Sequence, residues 1–332
     1  MIKFSVIIPV YNRPEEIVEL LDSLTMQSIK TEMEVIVVED GSSRTCRSEV
    51  EQFTKQLTIK YIYQENAGPG LARNHGAEYA RGEYMLFFDS DCVIPSDYFV
   101  NTLEFLSSND LDCFGGPDRA HAFFTSVQKA ISYSMTSLLT TGGIRGGRKK
   151  LDKFYPRSFN LGVKSDVFRA LGGFSDMRYG EDLDFSMNAI EHGYKVGLIT
   201  DTFVYHKRRN TFCSFYKQVF SSGSARVELT RRHPGTLKLV HVLPSFFAVG
   251  VPVLLMLSAV LSGWLALPVA LWVAVILVHS WMTTKSLSVA MLSVVASFIQ
   301  IMGYGYGFIT TLLFKLRHRN SNYVAFRKTF YN

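Results

Sequence analysis

Tyr84-Met85-Leu86-Phe87-Phe88-Asp89-Ser90-Asp91 is a run of five apolar residues, without alternation, that ends directly in two acids. An apolar run of that length with no polar face reads as a strand buried on both sides, the kind found in parallel sheets covered by helices. The chain before it repeats the theme. Phe4–Val10 reads as a strand, Pro14–Ser28 as a helix with Ile17, Leu20, Leu21 and Leu24 on one face, and Glu34–Glu39 as a second strand. The polar turn Asp40-Gly41-Ser42-Ser43 follows, then a strand over Ile59–Tyr63, the loop Gly68-Pro69-Gly70 and a helix from about Leu71 to Ala80. This β-α-β-α-β-α-β order predicts an α/β domain with a mostly parallel, doubly wound sheet. Ligands in such sheets sit beyond the carboxyl ends of the strands, where Asp40, Asp89 and Asp91 fall.

Downstream the pattern is less regular. Thr140–Lys150 holds four glycines and the cations Arg145, Arg148, Lys149 and Lys150, and reads as a loop. A helix is expected over Asp182–Glu191, stopped by Gly193, with Leu183, Met187 and Ile190 as its core-facing stripe. A short strand ends near His206, and Phe212–Arg232 is a basic amphipathic stretch.

Charge decides what the rest of the chain is. Only 19% of the 332 residues are charged, against about 25% in an average soluble domain. From Leu239 to Thr284 there are 46 residues without Asp, Glu, Lys or Arg, and from Ser286 to Phe314 another 29. A membrane crossing takes about 20 apolar residues, so a wholly soluble protein is excluded. The net charge of +6 gathers around these runs: Arg226, Arg231, Arg232 and Lys238 precede them, and Lys315, Arg317, Arg319, Arg327 and Lys328 follow. That placement points to an anionic cytoplasmic leaflet rather than to nucleic acid. Because both clusters flank the apolar region, the positive-inside rule predicts an even number of crossings, with Gly303-Tyr304-Gly305-Tyr306-Gly307 interrupting the third run. The four cysteines show no metal spacing and no disulfide framework, and the N-terminus shows no signal peptide. The expected organisation is a domain over 1–235 and a membrane region over 236–332, with helices at about 239–260, 264–283 and 287–314 and a basic tail.

Three constellations could carry chemistry. Asp89 and Asp91 would repel each other unless a cation or donor answers them, and a divalent metal bridging a diphosphate is one such answer. Gly180-Glu181-Asp182-Leu183-Asp184 puts three acids at a helix N-terminus, more than the macrodipole needs, and a carboxylate held there could serve as a general base. His206 counts as a ligand only if partners meet it.

Taken as a series, Ser5-Val6-Ile7-Ile8-Pro9-Val10-Tyr11-Asn12, Val38-Glu39-Asp40-Gly41-Ser42, Gly68-Pro69-Gly70-Leu71-Ala72-Arg73-Asn74, Asp89-Ser90-Asp91, Asn160-Leu161-Gly162, Gly172-Gly173-Phe174 and Gly180-Glu181-Asp182 resemble the successive motifs of family 2 inverting glycosyltransferases. The resemblance covers roughly residues 4–230. It implies a GT-A fold and transfer of a sugar from a nucleotide-diphosphate sugar, with manganese or magnesium as cofactor. By position Asp40 resembles the residue that recognises the nucleotide base, Asp89 the ribose contact, Asp91 a metal ligand and Asp182 the catalytic base. His206 resembles a further metal ligand of some members, while Arg73, with Asn66 nearby, falls along the donor-binding loop. No Gln-x-x-Arg-Trp follows the Glu-Asp pair, where Gln218-Val219-Phe220-Ser221-Ser222 stands instead, so one sugar per encounter is expected rather than processive synthesis.

The expected partners are the nucleotide sugar, a saccharide or lipid-linked acceptor, and membrane lipid. The expected location is the inner (cytoplasmic) membrane, with the catalytic domain on the cytoplasmic side and a place in cell-surface polysaccharide assembly. A glycosidase would not need the base-recognising Asp40, and a dinucleotide-dependent dehydrogenase would carry Gly-x-Gly-x-x-Gly after its first strand, where Pro9-Val10-Tyr11-Asn12-Arg13-Pro14 stands. A polyprenyl-phosphate glycosyltransferase and a non-catalytic membrane scaffold remain as alternatives.

Overall fold

The computed structural model describes residues 2–29, 33–119, 124–141 and 154–318. Most of the Thr140–Lys150 loop, and Arg319, Arg327 and Lys328, lie outside the described residues. In chain order the elements are β1 (Phe4–Val10), α1 (Pro14–Thr25), β2 (Met33–Asp40), α2 (Arg47–Glu51), β3 (Ile59–Gln64), α3 (Pro69–Glu78), β4 (Tyr84–Phe87), β5 (Cys92–Val93), α4 (Tyr98–Ser108), β6 (Cys113–Gly115) and β7 (Asp118–Arg119). Then come α5 (Ser126–Thr136), α6 (Leu138–Thr141), β8 (Leu161–Lys164), α7 (Ser165–Ala170), α8 (Glu181–Glu191), β9 (Val196–Leu198) and β10 (Val204–His206). The chain closes with α9 (Phe212–Arg232), α10 (Leu239–Val260), a 3-10 turn at Gly263–Ala266, α11 (Leu267–Thr284) and α12 (Leu287–Arg317). These elements sort into two packing units.

The first unit holds residues 1–121 and 154–206. Its main sheet has the order β3-β2-β1-β4-β8-β6-β9. The first four strands are mutually parallel, as the apolar runs predict. β8 departs from the expected pattern, because it lies antiparallel to both β4 and β6 after a long excursion of the chain. Alternate residues of each central strand feed two cores. Val6, Ile8, Val35, Val37 and Leu86 face the side of α1 and α4. Ile7, Ile36, Val38, Met85 and Phe87 face the other side, against Phe168, Phe174 and Phe185. Both faces being covered, the strands tolerate no polar alternation. α3 lies close on the sheet because Gly76 has no side chain there; a Cβ would stand 2.7 Å from Ile7. α8 differs from the expected stripe: Phe185, Met187 and Ala189 are buried together with its first-turn acids, whereas Leu183 and Ile190 are half-buried. Two-residue β5 and β7 flank β10 in a second, three-stranded sheet.

Among the described residues, the second unit holds 124–141 and 207–318. α9 belongs to this unit because its face of Phe215, Val219 and Leu229 is buried with the apolar helices. Three helical stretches, Leu239–Val260, Gly263–Thr284 and Leu287–Arg317, are long and apolar enough to cross a membrane. The turn expected near Ser262-Gly263 is the 3-10 turn, and Lys285, with φ at +55°, ends α11.

α12 corrects one expectation: its 31 residues run unbroken through the Gly-Tyr-Gly-Tyr-Gly stretch. Those glycines are contact points rather than an interruption. A Cβ on Gly303 would stand 2.6 Å from Val219, on Gly305 2.3 Å from the Pro244 carbonyl oxygen and on Gly307 2.0 Å from the Phe220 carbonyl oxygen. Small residues let helix backbones approach where apolar burial alone gives little drive in lipid.

Candidate active site

The sheet brings four of the sequence's candidates to one place in the first unit. β4 ends at Phe87 and delivers Asp89, then Asp91 at the start of β5. β10 pairs antiparallel with β5 in a register that sets His206 opposite Cys92, and this turns the imidazole onto the two acids. His206 Nε2 lies 3.1 Å from Asp91 Oδ1 and 3.7 Å from Asp89 Oδ2, with the ring stacked on Phe159. His206 thus has a carboxylate neighbour in each of the two acids.

Arg73 reaches the same acids from α3. Its side chain is 2% exposed, and it donates to Asp89 Oδ1 at 2.5 Å and to Glu181 Oε1 at 3.1 Å. So deep a guanidinium is a strut between the strand end and the start of α8. Gly70 makes room for this strut, since a Cβ there would stand 3.1 Å from the Glu181 side chain. Glu181, in turn, is pushed up to about 7 by burial and by the charge of Asp182, against the pull of Arg73.

Asp182 sits one residue into α8, behind Gly180 in the left-handed region. Its Oδ2 accepts from Arg157 Nε at 2.9 Å and from the Ser158 backbone N–H at 3.2 Å, while Oδ1 accepts from the Leu183 N–H at 2.8 Å. Burial acts to raise its carboxyl, but Arg157, the Ser158 N–H and Arg73 outweigh it and hold the group below the usual carboxylate range. The same balance holds at Asp91, where His206 and Arg13 override burial.

Asp40 stands apart from this cluster, at the end of β2. It is 2% exposed and its two oxygens accept from Gln64 Nε2, Asn66 Nδ2 and the backbone N–H groups of Ala67 and Gly68. The carboxylate ties the loop that opens α3, and Asn66 is part of that tie. Two further residues at the site carried no sequence signal, and a third, Asn160, stood in a motif without a role. Arg13 pairs with Asp91 Oδ2, Arg157 pairs with Asp182, and buried Asn160 takes a hydrogen bond from Tyr98 and donates to the Thr202 carbonyl. Each meets its partner across 25 to 78 residues of chain, or 42 to 62 for Asn160; periodicity registers nothing at such separations.

The residues fit a hard divalent cation. Asp91 Oδ1 is fully buried and has no in-line hydrogen-bond donor among the described residues, although it faces His206 Nε2. The Asp91 carboxylate and the His206 imidazole are ligand types suited to manganese, with Asp89 Oδ2 3.7 Å from the imidazole. Cys92 Sγ is within reach of the same point, but burial, and then the charges of Asp91 and Asp89, hold its thiol well above the ordinary range. It stays protonated, donating to the Phe159 carbonyl oxygen at 3.6 Å.

Residues 5–163 match the family described as Glycosyl transferase family 2. The poly(ribitol-phosphate) beta-N-acetylglucosaminyltransferase TarS of Staphylococcus aureus is 40% identical over 115 residues, 34% of this chain and only 20% of that protein. Glycosyltransferase AglE of Haloferax volcanii is 28% identical over 251 residues, 74% of this chain and 80% of that one. Among solved structures, the chain is similar to a mannosyltransferase of Pyrobaculum calidifontis in complex with GDP-Man and Mn2+, with a TM-score of 0.60, 17% identity and coverage of 94% and 88%. It is also similar to residues 1–349 of TarS in complex with UDP-GlcNAc, with a TM-score of 0.51, 20% identity and coverage of 94% and 92%. At these identities the likeness of the structures is one of fold.

Proposed function

We propose that this chain, whose residues 5–163 are a glycosyl transferase family 2 domain on a GT-A fold, is a membrane-anchored inverting glycosyltransferase. It moves one sugar from a nucleotide-diphosphate sugar to a hydroxyl of a lipid-linked saccharide in cell-surface polysaccharide assembly. The observation that carries this reading is the convergence of Asp89, Asp91 and His206 at the carboxyl end of a parallel sheet, tied through Arg73 to the helix that presents Asp182. The complexes of the two similar structures, one with GDP-Man and Mn2+ and one with UDP-GlcNAc, support a nucleotide-sugar donor and a metal here.

Asp91 and His206, with Asp89 beside them, would hold the divalent ion. When bound, such an ion supplies positive charge to the diphosphate that leaves as the bond to the anomeric carbon breaks. Arg73 keeps Asp89 in place. Asp182 takes the proton from the acceptor hydroxyl while that oxygen attacks the face opposite the diphosphate, and a single displacement inverts the configuration. The chain needs no nucleophile of its own. The three apolar helices anchor it in the inner membrane, with the catalytic unit on the cytoplasmic side, where nucleotide sugars are available.

Product stereochemistry tests the reading. Purified protein, manganese, a lipid-linked saccharide acceptor and a panel of nucleotide sugars should give a glycoside whose anomeric configuration, read from its proton coupling, is opposite to the donor's. A product of retained configuration would overturn the single displacement.

A further inference from the structure

The Asp182 carboxylate is held by groups whose arrangement distinguishes its two oxygens. Oδ2 accepts from Arg157 Nε at 2.9 Å and from Ser158 N–H at 3.2 Å; among the described residues Oδ1 accepts only from Leu183 N–H at 2.8 Å. A carboxylate oxygen has two lone-pair directions. Both are used on Oδ2, and one remains on Oδ1.

The segment that carries Arg157 is itself fixed. Arg157 and Asn160 form an antiparallel bridge, with Asn160 N–H donating to the Arg157 carbonyl at 2.8 Å. Asn160 is anchored at both ends of its side chain, by Tyr98 at 2.6 Å and the Thr202 carbonyl at 2.7 Å. Ser186, on α8 itself, donates to the Pro156 carbonyl at 2.8 Å. Arg157 and the helix bearing Asp182 are thus fastened on both sides of the ion pair.

We propose that Arg157 is a positioning residue for the transfer: it fixes the rotation of the Asp182 carboxylate so that Oδ1 is the oxygen that takes the acceptor's proton. This rests on the glycosyltransferase reading above and adds a residue to it. In the step, the acceptor O–H bond breaks and the Oδ1–H bond forms, and the acceptor oxygen's electron pair makes the new bond to the anomeric carbon. The anomeric carbon's bond to the diphosphate oxygen breaks with its electron pair leaving on the nucleoside diphosphate, and the proton then passes from Oδ1 to water. A purely structural helix cap would need only the two backbone N–H donors.

The charged groups facing Asp182 are Glu181 beside it on α8, Arg157 from the 154–160 segment and Arg73 from α3, with Asp89 reached through Arg73. Of the two cations, Arg157 is in direct contact. Removing it leaves burial opposed only by Arg73 and the two backbone N–H donors, and an opposite charge at this range is worth about one pH unit or more.

The experiment compares wild type, R157Q and R157K in kcat and donor KM from pH 4 to pH 9. The result expected for R157Q is an acid limb of kcat moved up by about one pH unit and a plateau lowered about tenfold, with donor KM unchanged and partial recovery in R157K. R157Q is expected to fold, since its side chain is 30% exposed; a thermal melt checks this, and R157K preserves the charge if it fails. An R157Q profile that superimposes on the wild type overturns the inference alone. A wild type that turns over no nucleotide sugar overturns the transferase reading instead, and with it this role.

Discussion

Replacing Asp182 with asparagine preserves the size of the side chain and an acceptor oxygen, but removes the capacity to take a proton. Asp182→Asn is therefore expected to lower turnover by about 100- to 10,000-fold, the usual range for a general base, while donor affinity measured by titration calorimetry stays near wild type. Near-normal turnover would remove Asp182 from the role. Glu181, its neighbour, makes a different prediction. Its carboxyl lies near 4.5 when unfolded and is pushed up to about 7 in the fold, chiefly by burial and then by Asp182. The folded state therefore holds the proton more tightly than the unfolded chain. Its contribution to stability is complete below 4.5 and is lost as pH rises through 7. At about 1.4 kcal/mol per unit, roughly 3 kcal/mol is at stake. Denaturation at several pH values should show wild type losing stability between pH 4.5 and 7 faster than Glu181→Gln; parallel curves would refute the account of this group.

Among elements, the seam between α9 and α12 depends on glycine. Gly223 lies where a Cβ would stand 2.1 Å from the Tyr304 carbonyl oxygen, so even alanine must part the helices. Gly223→Val should destabilise the protein by about 1–3 kcal/mol, the usual cost of overpacking, read as a lower melting temperature in detergent. An unchanged melt would mean that the two helices are not packed as described. This seam also shows where sequence reading stops. Gly-x-Gly-x-Gly looks the same whether it breaks a helix or lets one pack closely, and only the partner helix decides. Tyr84–Phe88 was legible because an uninterrupted apolar run has few other uses, and the acids after it inherit their position from the strand. His206 was harder to place. Strands of two and three residues carry no periodicity, yet their register alone brings His206 to Asp91. Arg157 and Arg13 were illegible because an ion pair between distant segments leaves no mark on either.

At the scale of the molecule, membrane topology follows from charge and from one contact. Glu228, buried on α9, forms ion pairs with Arg231 at 3.1 Å and with Lys315 of α12 at 3.2 Å. Arg231 and Lys315, which flank the apolar helices, therefore lie at the same end of the second unit, and the positive-inside rule predicts that end in the cytoplasm. A cysteine placed at Asn332 should stay unlabelled by an impermeant thiol reagent in intact cells; labelling from outside would mean an odd number of crossings. The central claim is metal-dependent transfer from a nucleotide sugar, and it is tested most directly on the full chain in lipid. With manganese and a panel of nucleotide sugars, one donor should release its nucleoside diphosphate, and a chelator or Asp91→Ala should stop that release. Release that continues undiminished in excess chelator, or no release from any donor, would contradict the account.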